Sequence, residues 1–273
     1  MKPLIIYHGG CPDGFGAAWS FWTAFRDEAE YFPATHGNPP PDVLGRDVFI
    51  VDFSYSREIV ENMIKDCSSL VILDHHKTAE KSLSNLPCFI YDVNHSGAYM
   101  AWRYLYGESS VPNIIKFIED RDLWKMQIEE SKYMLDFLDL HPYDFEIWSD
   151  ISKKMEKENP DYNKILDIGR YLYKYKMSIV DRSLKTAHTI TISGEEIPAV
   201  NSPFLQSEIG DRLVVGSQYS CVYTRMVDGY RFSLRSNNSC LESRDVAEVA
   251  SKFGGGGHKN SAGFKIKNLE LLK

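Results

Sequence analysis

An aliphatic run ends in three ionisable residues in the stretch Leu70-Val71-Ile72-Leu73-Asp74-His75-His76. Near-continuous aliphatic residues are typical of a strand that is buried on both faces of a parallel sheet. Two earlier runs, at residues 4–7 and 48–51, have the same character and are followed by His8 and Asp52. The three runs predict three strands whose carboxyl ends carry acids and histidines.

Helical segments separate these predicted strands, at residues 17–26 and 56–65. The first of them follows the sequence Pro12-Asp13-Gly14. Alternating strands and helices are the pattern of βαβ units, so we expect an α/β fold with a mainly parallel sheet flanked by helices. Further predicted helices cover the sheet or one of its ends, at residues 95–106, 112–119 and 132–140.

The last third of the chain has a different pattern. A polar connection at residues 153–160 is followed by a long predicted helix at 162–185. Beyond it we expect a smaller α/β domain with strands at 188–192, 220–225, 230–235 and 263–266, and helices at 204–212 and 243–253. The predicted domains are therefore 1–185 and 186–273, with a cleft between them.

Composition limits the classes of function. Hydrophobic residues make up 43% of the 273 residues and charged residues 25%, which indicates a globular rather than a disordered chain. The net charge of −7 argues against binding long duplex DNA, which needs a broad basic surface. A small anionic substrate is compatible with it, because metal ions or arginines bind phosphate locally.

The sequence also favours a cytoplasmic protein without a membrane partner. No apolar run is long enough to cross a bilayer, and the N-terminus enters a predicted strand without a signal-peptide segment. An odd number of cysteines without a Cys-x-x-Cys pair favours reduced thiols. These cysteines are Cys11, Cys67, Cys88, Cys221 and Cys240. A homodimer is compatible with the sequence.

The ends of the predicted strands indicate a metal site. Ligand sites of open parallel sheets lie outside the carboxyl ends of the strands. This crevice would receive His8, Asp13, Asp52, Asp74, His75 and His76. A divalent cation relieves the repulsion between clustered carboxylates, and mixed Asp/His ligation suits Mn²⁺ best, with Mg²⁺, Co²⁺, Fe²⁺ or Zn²⁺ as alternatives. We expect one or two ions, with Asp52 able to bridge a pair about 3.5–4 Å apart.

Each of these residues also has an ordinary structural interpretation. Asp13, in Pro-Asp-Gly, is typical of a turn or helix cap. His8 could be a core histidine with its hydrogen bonds satisfied. Asp120 and Asp122 could form a solvated helix end. The conjunction of three such strand ends favours a site over these separate explanations.

The order of the motifs resembles that of the DHH phosphoesterase superfamily. The matching residues are His-Gly-Gly-Cys-Pro-Asp-Gly at 8–14, Asp52 after a strand, Asp-His-His at 74–76, and Asp120. The sequence Gly-Gly-Gly-Gly-His-Lys-Asn-Ser-Ala-Gly at 254–263 is similar to the signature of the DHHA1 domain. The resemblance spans nearly the whole chain. It implies a DHH catalytic domain followed by a DHHA1 substrate-binding domain. Within the superfamily, it implies a protein of the groups that act on nucleic acids and nucleotides, more similar to a nano-RNase than to a full RecJ exonuclease.

The resemblance also implies roles for individual residues. It places one metal ion on His8, Asp13 and Asp52, and a second on Asp52, His75 and Asp120. Asp74 would orient His75, and His76 would face the substrate phosphoryl group. The sequence departs from the family at Phe15, where a second aspartate is usual, and its spacing from His8 to Asp13 is one residue longer. The second ion therefore lacks a ligand, for which Asp122 or His95 could substitute, or is absent.

Phosphate contacts are expected in the second domain. A glycine run lets backbone N–H groups converge on an anion, although glycines alone more often form a flexible turn. His258 directly after the glycine run and Arg235 at the end of the preceding predicted strand favour phosphate binding. An arginine can bind a phosphate with two hydrogen bonds. We expect substrate to bind Arg235, Gly256, Gly257 and His258.

The predicted function is a metal-dependent phosphoesterase. Its substrates would be short oligonucleotides, dinucleotides or 3′-phosphorylated nucleotides, with Asp52, Asp74 and His76 as the catalytic residues. One alternative is a pyrophosphatase or exopolyphosphatase. Another is a nucleotide-binding module with a degraded metal site, which Phe15 motivates.

Overall fold

Five parallel strands form the first sheet of the computed structural model, which describes residues 1–108, 110–237 and 243–272. The strands are β1 (Leu4–His8), β2 (Glu30–Ala34), β3 (Asp47–Val51), β4 (Ser69–Asp74) and β5 (Phe89–Tyr91). Their order is β2-β1-β3-β4-β5. Pro33 lies in the edge strand β2, where a missing backbone N–H is tolerated.

Helices cover both faces of this sheet. They are α1 (Pro12–Phe25), α2 (Arg57–Asp66), α3 (Lys77–Leu83) and α4 (Gly97–Tyr106). Ile5, Val51 and Leu73 pack with α1 and α4 on one face, whereas Ile6 and Ile72 pack with α2 and α3 on the other. Burial on both faces explains why these strands are continuously aliphatic rather than alternating.

A second helical layer packs against α1. It consists of α5 (Asn113–Asp122), α6 (Ser131–Leu138), α7 (Phe145–Lys154) and the first part of α8 (Tyr162–Leu184). Its core is aromatic: Phe15 is stacked on Phe145 with ring centroids 4.8 Å apart and meets the Trp148 ring edge-on at the same distance. The first unit of the chain, Met1–Tyr173, contains this layer and the parallel sheet.

The second unit, Lys174–Lys273, contains a mixed six-stranded sheet. Its strands are β6 (His188–Ile192), β7 (Glu195–Asn201), β8 (Tyr219–Met226), β9 (Gly229–Ser236), β10 (Gly256–His258) and β11 (Ser261–Ile266). Only β7 and β8 pair in parallel among these described strands. The helices α9 (Gln206–Leu213) and α10 (Val246–Ser251) pack on this sheet.

The fold confirms the predicted α/β class, with a parallel sheet first and a smaller α/β unit second. The division between the units lies within α8, earlier than the boundary near residue 185 that the sequence suggests. Cys240 lies outside the described residues, and the other four cysteines are free thiols.

None of the described helices is both long enough and apolar enough to span a membrane.

Candidate metal centre

Three adjacent strands bring acids and histidines to one edge of the parallel sheet. His8 is the last residue of β1, Asp52 directly follows β3, and Asp74 is the last residue of β4. Because these strands are neighbours and parallel, their carboxyl ends coincide. The structure thus brings together the strand-end residues that the sequence singles out.

The buried imidazole of His75 lies at the centre of three carboxylates. Its Nε2 atom is 3.2 Å from Asp52 Oδ1, 3.6 Å from Asp13 Oδ2 and 3.7 Å from Asp122 Oδ2. Burial alone would lower the pKa of His75, but the contact with Asp52 and the charges of the other two carboxylates raise it. The positive charge of a protonated His75 imidazole is therefore stabilised among these three carboxylates.

The carboxylate of Asp13 is held by the helix opposite. It accepts hydrogen bonds from the backbone N–H groups of Gly97 and Ala98, at 2.7 and 2.9 Å. These N–H groups belong to the first turn of α4, where backbone donors lack partners within the helix and the dipole favours negative charge. Burial and the neighbouring charge of Asp52 nevertheless raise the pKa of Asp13. Asp13 therefore fixes α4 against the candidate site rather than capping its own helix.

Gly97 and Gly14 allow the backbone of α4 and α1 to lie close to Asp52 and His8. A Cβ atom at Gly97 would overlap the side chain of Asp52, and one at Gly14 would overlap the carbonyl oxygen and Cβ of His8. The sequence Pro-Asp-Gly in α1 and the glycine at the start of α4 are therefore steric requirements of the site.

A second group of donors shares the carboxylate of Asp52. His8 Nδ1 is 3.4 Å from Cys11 Sγ, Cys11 Sγ is 3.5 Å from Asp52 Oδ2, and His8 Nδ1 is 3.6 Å from that same oxygen. Burial raises the pKa of the Cys11 thiol, as do the charges of Asp52 and Asp13. Cys11 is absent from the residues that the sequence selects, although the longer spacing from His8 to Asp13 marks its position.

Asp74 organises the two histidines that follow it. Its Oδ1 atom accepts hydrogen bonds from the backbone N–H groups of His75 and His76, at 2.8 and 3.1 Å, and lies 2.7 Å from His76 Nδ1. The contact with His75 thus involves the backbone, and the ring that Asp74 orients directly is that of His76.

Another histidine, His36, lies beside the same edge. Its ring centroid is 5.5 Å from that of His8 and 4.5 Å from that of Phe53. Burial, together with the neighbouring rings of His8 and His76, lowers the pKa of His36. It follows β2, a strand without a strong sequence signal, so the sequence does not single it out.

Asp120 is not brought to the cluster. Its carboxylate accepts hydrogen bonds from the backbone N–H groups of Gln127 and Ile128 and from the hydroxyl of Ser131. It therefore holds the connection between α5 and α6, and Asp122 reaches His75 in its place. Residues two apart in a helix point in different directions, which is why only one of the two aspartates can face this edge.

Two further positions, Phe15 and His95, also bear on whether a second ion can bind. Phe15 is buried in the aromatic core of the helical layer, so the side chain at the usual aspartate position belongs to the packing. His95 Nδ1 is paired with Glu119 Oε2 at 3.0 Å, and its ring stacks on Tyr99. Of the two substitutes proposed from sequence, Asp122 is the one that reaches the cluster.

The donors present suit a divalent cation. Two groups of three, His8 with Cys11 and Asp52, and Asp13 with His75 and Asp122, each bring their ligand atoms within 4.8 Å of one another. Asp52 lies between them and is 2% exposed, and its Oδ1 atom makes no hydrogen bond of good geometry to the described residues. A buried carboxylate oxygen is costly unless hydrogen bonds of good geometry or a cation satisfy it.

The predicted phosphate contacts of the second unit have a mixed outcome. Gly256, Gly257 and His258 form β10, an edge strand paired with β11, rather than an open loop. The Arg235 guanidinium is held by the hydroxyls of Ser207 and Ser233 and by the Leu234 carbonyl. All three partners are neutral, and burial lowers the pKa of Arg235 to about 10. Its positive charge therefore has no carboxylate partner within salt-bridge distance among the described residues.

Solved structures share this architecture. The DHH domain of a protein described as a member of a ribosomal protein family matches with a TM-score of 0.57 over 97% of this chain and 82% of that one, at 12% identity. The chain has the same fold as this DHH domain. The pGpG-specific phosphodiesterase PggH of Vibrio cholerae also matches this chain, with a TM-score of 0.53, 14% identity, and coverage of 99% of this chain and 94% of that one. RecJ of Thermus thermophilus, solved in complex with Mn²⁺, matches with a TM-score of 0.51 at 12% identity over 99% of this chain and 50% of its own.

Sequence comparison adds a viral relative. Uncharacterized protein R106 of Acanthamoeba polyphaga mimivirus is 29% identical over 294 aligned positions, which cover 98% of this chain and 68% of that protein. No protein-family model matches the sequence.

Proposed function

We propose that this protein is a metal-dependent phosphoesterase that hydrolyses phosphate ester or phosphodiester bonds of short oligonucleotides, dinucleotides or 3′-phosphorylated nucleotides. The observation that carries the proposal is the placement of three carboxylates around His75 at the carboxyl edge of a DHH-type sheet. Clustered carboxylates and imidazoles at such an edge are suited to binding a divalent ion.

The residues of this edge have separate tasks in the proposed reaction. A divalent cation, with Mn²⁺ as the first choice, would be held by the groups around Asp52 and would supply Lewis-acid activation of water and of a phosphate oxygen. Asp74 holds the ring of His76 at 2.7 Å and so fixes its orientation. We assign His76 to hydrogen bonding with the substrate phosphoryl group.

The substrate class follows from charge and size. The net charge of −7 disfavours long nucleic acids, whereas a short one needs only a few phosphate contacts. Arg235 supplies a cation whose partners are neutral oxygens, and we propose that it binds a substrate phosphate. PggH, which is described as specific for the dinucleotide pGpG, supports a dinucleotide as the first substrate to test.

A cytoplasmic location is part of the proposal. Its support is the free state of the four described cysteines, which suits a reducing compartment.

The test is an activity screen with Mn²⁺ on a dinucleotide, a nucleoside 3′,5′-bisphosphate and pyrophosphate. We expect turnover of one of the two nucleotide substrates. Asp52→Asn should lower this activity by more than the roughly 10–100-fold that loss of an outer-shell partner of a metal causes. Asp47→Asn is the matched control, because Asp47 lies at the opposite end of the same strand and accepts a hydrogen bond from the Ser69 hydroxyl.

Two results would contradict the proposal. Turnover of pyrophosphate alone would favour the pyrophosphatase alternative. A protein that binds Mn²⁺ weakly and leaves all three substrates intact would favour a nucleotide-binding module.

A further inference from the structure

The thiol of Cys11 completes a triangle of ligand atoms with His8 and Asp52. The three edges of this triangle are 3.4, 3.5 and 3.6 Å. Asp52 is buried, while His8 retains partial exposure of 28%. The triangle therefore has one open side, through which an ion could enter.

The size of the triangle matches one face of a tetrahedral ion site. With the usual zinc–sulfur, zinc–nitrogen and zinc–oxygen bond lengths, the ligand atoms on such a face lie about 3.3–3.6 Å apart. All three atoms are of types that ligate divalent ions, and their spacing would let one ion contact all three at once. The thiol has a single proton, so in the absence of an ion it can donate to only one of its two neighbours.

The two groups of donors share one carboxylate. Oδ2 of Asp52 faces Cys11 and His8, whereas Oδ1 faces His75. Asp13 lies in the other group, where its Oδ2 atom is 3.6 Å from His75 Nε2. The group that contains His8 therefore takes its third ligand atom from Cys11 and not from Asp13.

We propose that Cys11 is a direct ligand, together with His8 and Asp52, of a divalent ion in a mixed nitrogen, sulfur and oxygen site. This inference rests on the proposed metal-dependent function and specifies the character of one ion. A thiolate ligand shifts the preference of a site from Mn²⁺ and Mg²⁺ towards Zn²⁺ and Co²⁺. Asp13 then serves the second group, where it compensates for the aspartate that Phe15 replaces.

Cys11 also has a structural role that the test must separate from metal binding. It is the N-cap of α1, and its sulfur accepts a hydrogen bond from the backbone N–H of Gly14 at 3.2 Å. Serine is among the best N-cap residues, so Cys11→Ser preserves the cap while removing the soft ligand. Cys88→Ser is the matched control, because Cys88 lies next to β5 and is another free, partly buried thiol.

The experiment is a titration of the metal-free full-length protein with Co²⁺, followed by absorption spectroscopy. Cobalt shows visible ligand-field bands in any low-symmetry site, and a near-ultraviolet sulfur-to-cobalt band only when a thiolate is bound. We expect both bands in the wild-type protein and in Cys88→Ser. In Cys11→Ser the ligand-field bands should persist and the sulfur-to-cobalt band should be lost.

A second readout is relative ion affinity. Cys11→Ser should weaken Zn²⁺ binding by more than about tenfold, the smallest loss typical of removing even an outer-shell partner. Its affinity for Mn²⁺ should fall less, because Mn²⁺ gains little from a thiolate.

The outcomes distinguish this inference from the proposed function. Ligand-field bands without a sulfur-to-cobalt band in the wild-type protein would overturn the role of Cys11 and leave the metal site intact. A sulfur-to-cobalt band that survives in Cys11→Ser would also overturn it. Absence of all cobalt absorption, together with absence of Mn²⁺ binding, would instead contradict the metal-dependent function.

Discussion

Asp52 is the carboxylate that both groups of candidate ligands share. It faces His75 through one oxygen and the group of His8 and Cys11 through the other. Burial opposes its ionisation, but the contacts with the imidazoles of His75 and His8 hold the pKa of Asp52 well below its usual range. Its backbone has a φ of 54°, in the left-handed region that side chains other than glycine rarely adopt. Such strain is typical of functional positions that the surrounding structure holds in place.

Asp120 and Asp122 are expected to respond differently to the same substitution. Asp120→Asn replaces a carboxylate that holds a connection through the N–H groups of Gln127 and Ile128, so it should destabilise the protein by about 1–3 kcal/mol. Asp122→Asn should instead weaken Mn²⁺ binding and activity, because it removes a negative charge beside His75. Urea unfolding measures the first effect and a Mn²⁺ titration measures the second. Equal effects of the two variants on Mn²⁺ affinity would contradict this assignment.

This pair shows how far the sequence predicts the site. The strand-end residues His8, Asp52 and His75 can be predicted because adjacent parallel strands end at the same edge. Asp122 and Cys11 cannot be chosen with the same certainty, since their placement depends on helix rotation and on one extra residue in a loop. The sequence contains both residues but not the directions in which their side chains point.

At the level of elements, the N-terminus of α4 is the part that holds the site together. It donates hydrogen bonds to Asp13 and packs directly on Asp52. The sequence predicts a helix at residues 95–106 but not that its first turn binds Asp13. Ser96 caps the helix by accepting a hydrogen bond from the Tyr99 backbone N–H, and the contact with Asp13 becomes visible only in the folded chain.

Gly97→Ala should therefore affect the site as well as stability. Its new Cβ atom would overlap the side chain of Asp52, so we expect weaker Mn²⁺ binding together with lower stability. Gly107→Ala is the matched control at the other end of α4, where the Cβ would meet open space. Its positive φ should cost about 1–2 kcal/mol without changing Mn²⁺ affinity. The prediction fails if both variants bind Mn²⁺ as the wild type does.

The two strands of the first sheet that the sequence does not predict share a physical reason. β2 contains a proline and is only partly buried at the sheet edge, and β5 has three residues. Short edge strands bury too little apolar surface to leave an aliphatic run. β1, β3 and β4 are central in the sheet, and burial on both faces makes them recognisable.

At the level of the whole molecule, the two units are proposed to have separable tasks. The first contains the candidate metal groups, and the second contains Arg235 on β9. Arg235→Gln should lower kcat/KM by about 10–100-fold, as expected for losing a charge-assisted hydrogen bond worth about 1.5–3 kcal/mol. Affinity for Mn²⁺ should stay unchanged. Arg231→Gln is the matched control, because Arg231 is an exposed arginine on the same strand. An unchanged kcat/KM in Arg235→Gln would argue against phosphate binding by the second unit.

Metal binding should stabilise the first unit selectively. Without a cation, Asp13, Asp52 and Asp122 repel one another around one imidazole, and a bound ion removes this repulsion. A ligand at a hundred times its Kd stabilises the native state by about 2.7 kcal/mol. For a unit of this size, that corresponds to an increase in Tm of about 5–11 °C.

Calorimetry with Mn²⁺ and with a chelator measures this shift. Asp52→Asn should show a much smaller increase in Tm, because the carboxylate shared by both groups is lost, whereas Asp47→Asn should behave as the wild type does. If the two units unfold in separate transitions, only the transition of the first should respond to Mn²⁺. The same increase in Tm in Asp52→Asn would mean that the ion binds elsewhere, and the proposed chemistry would then lose its metal site.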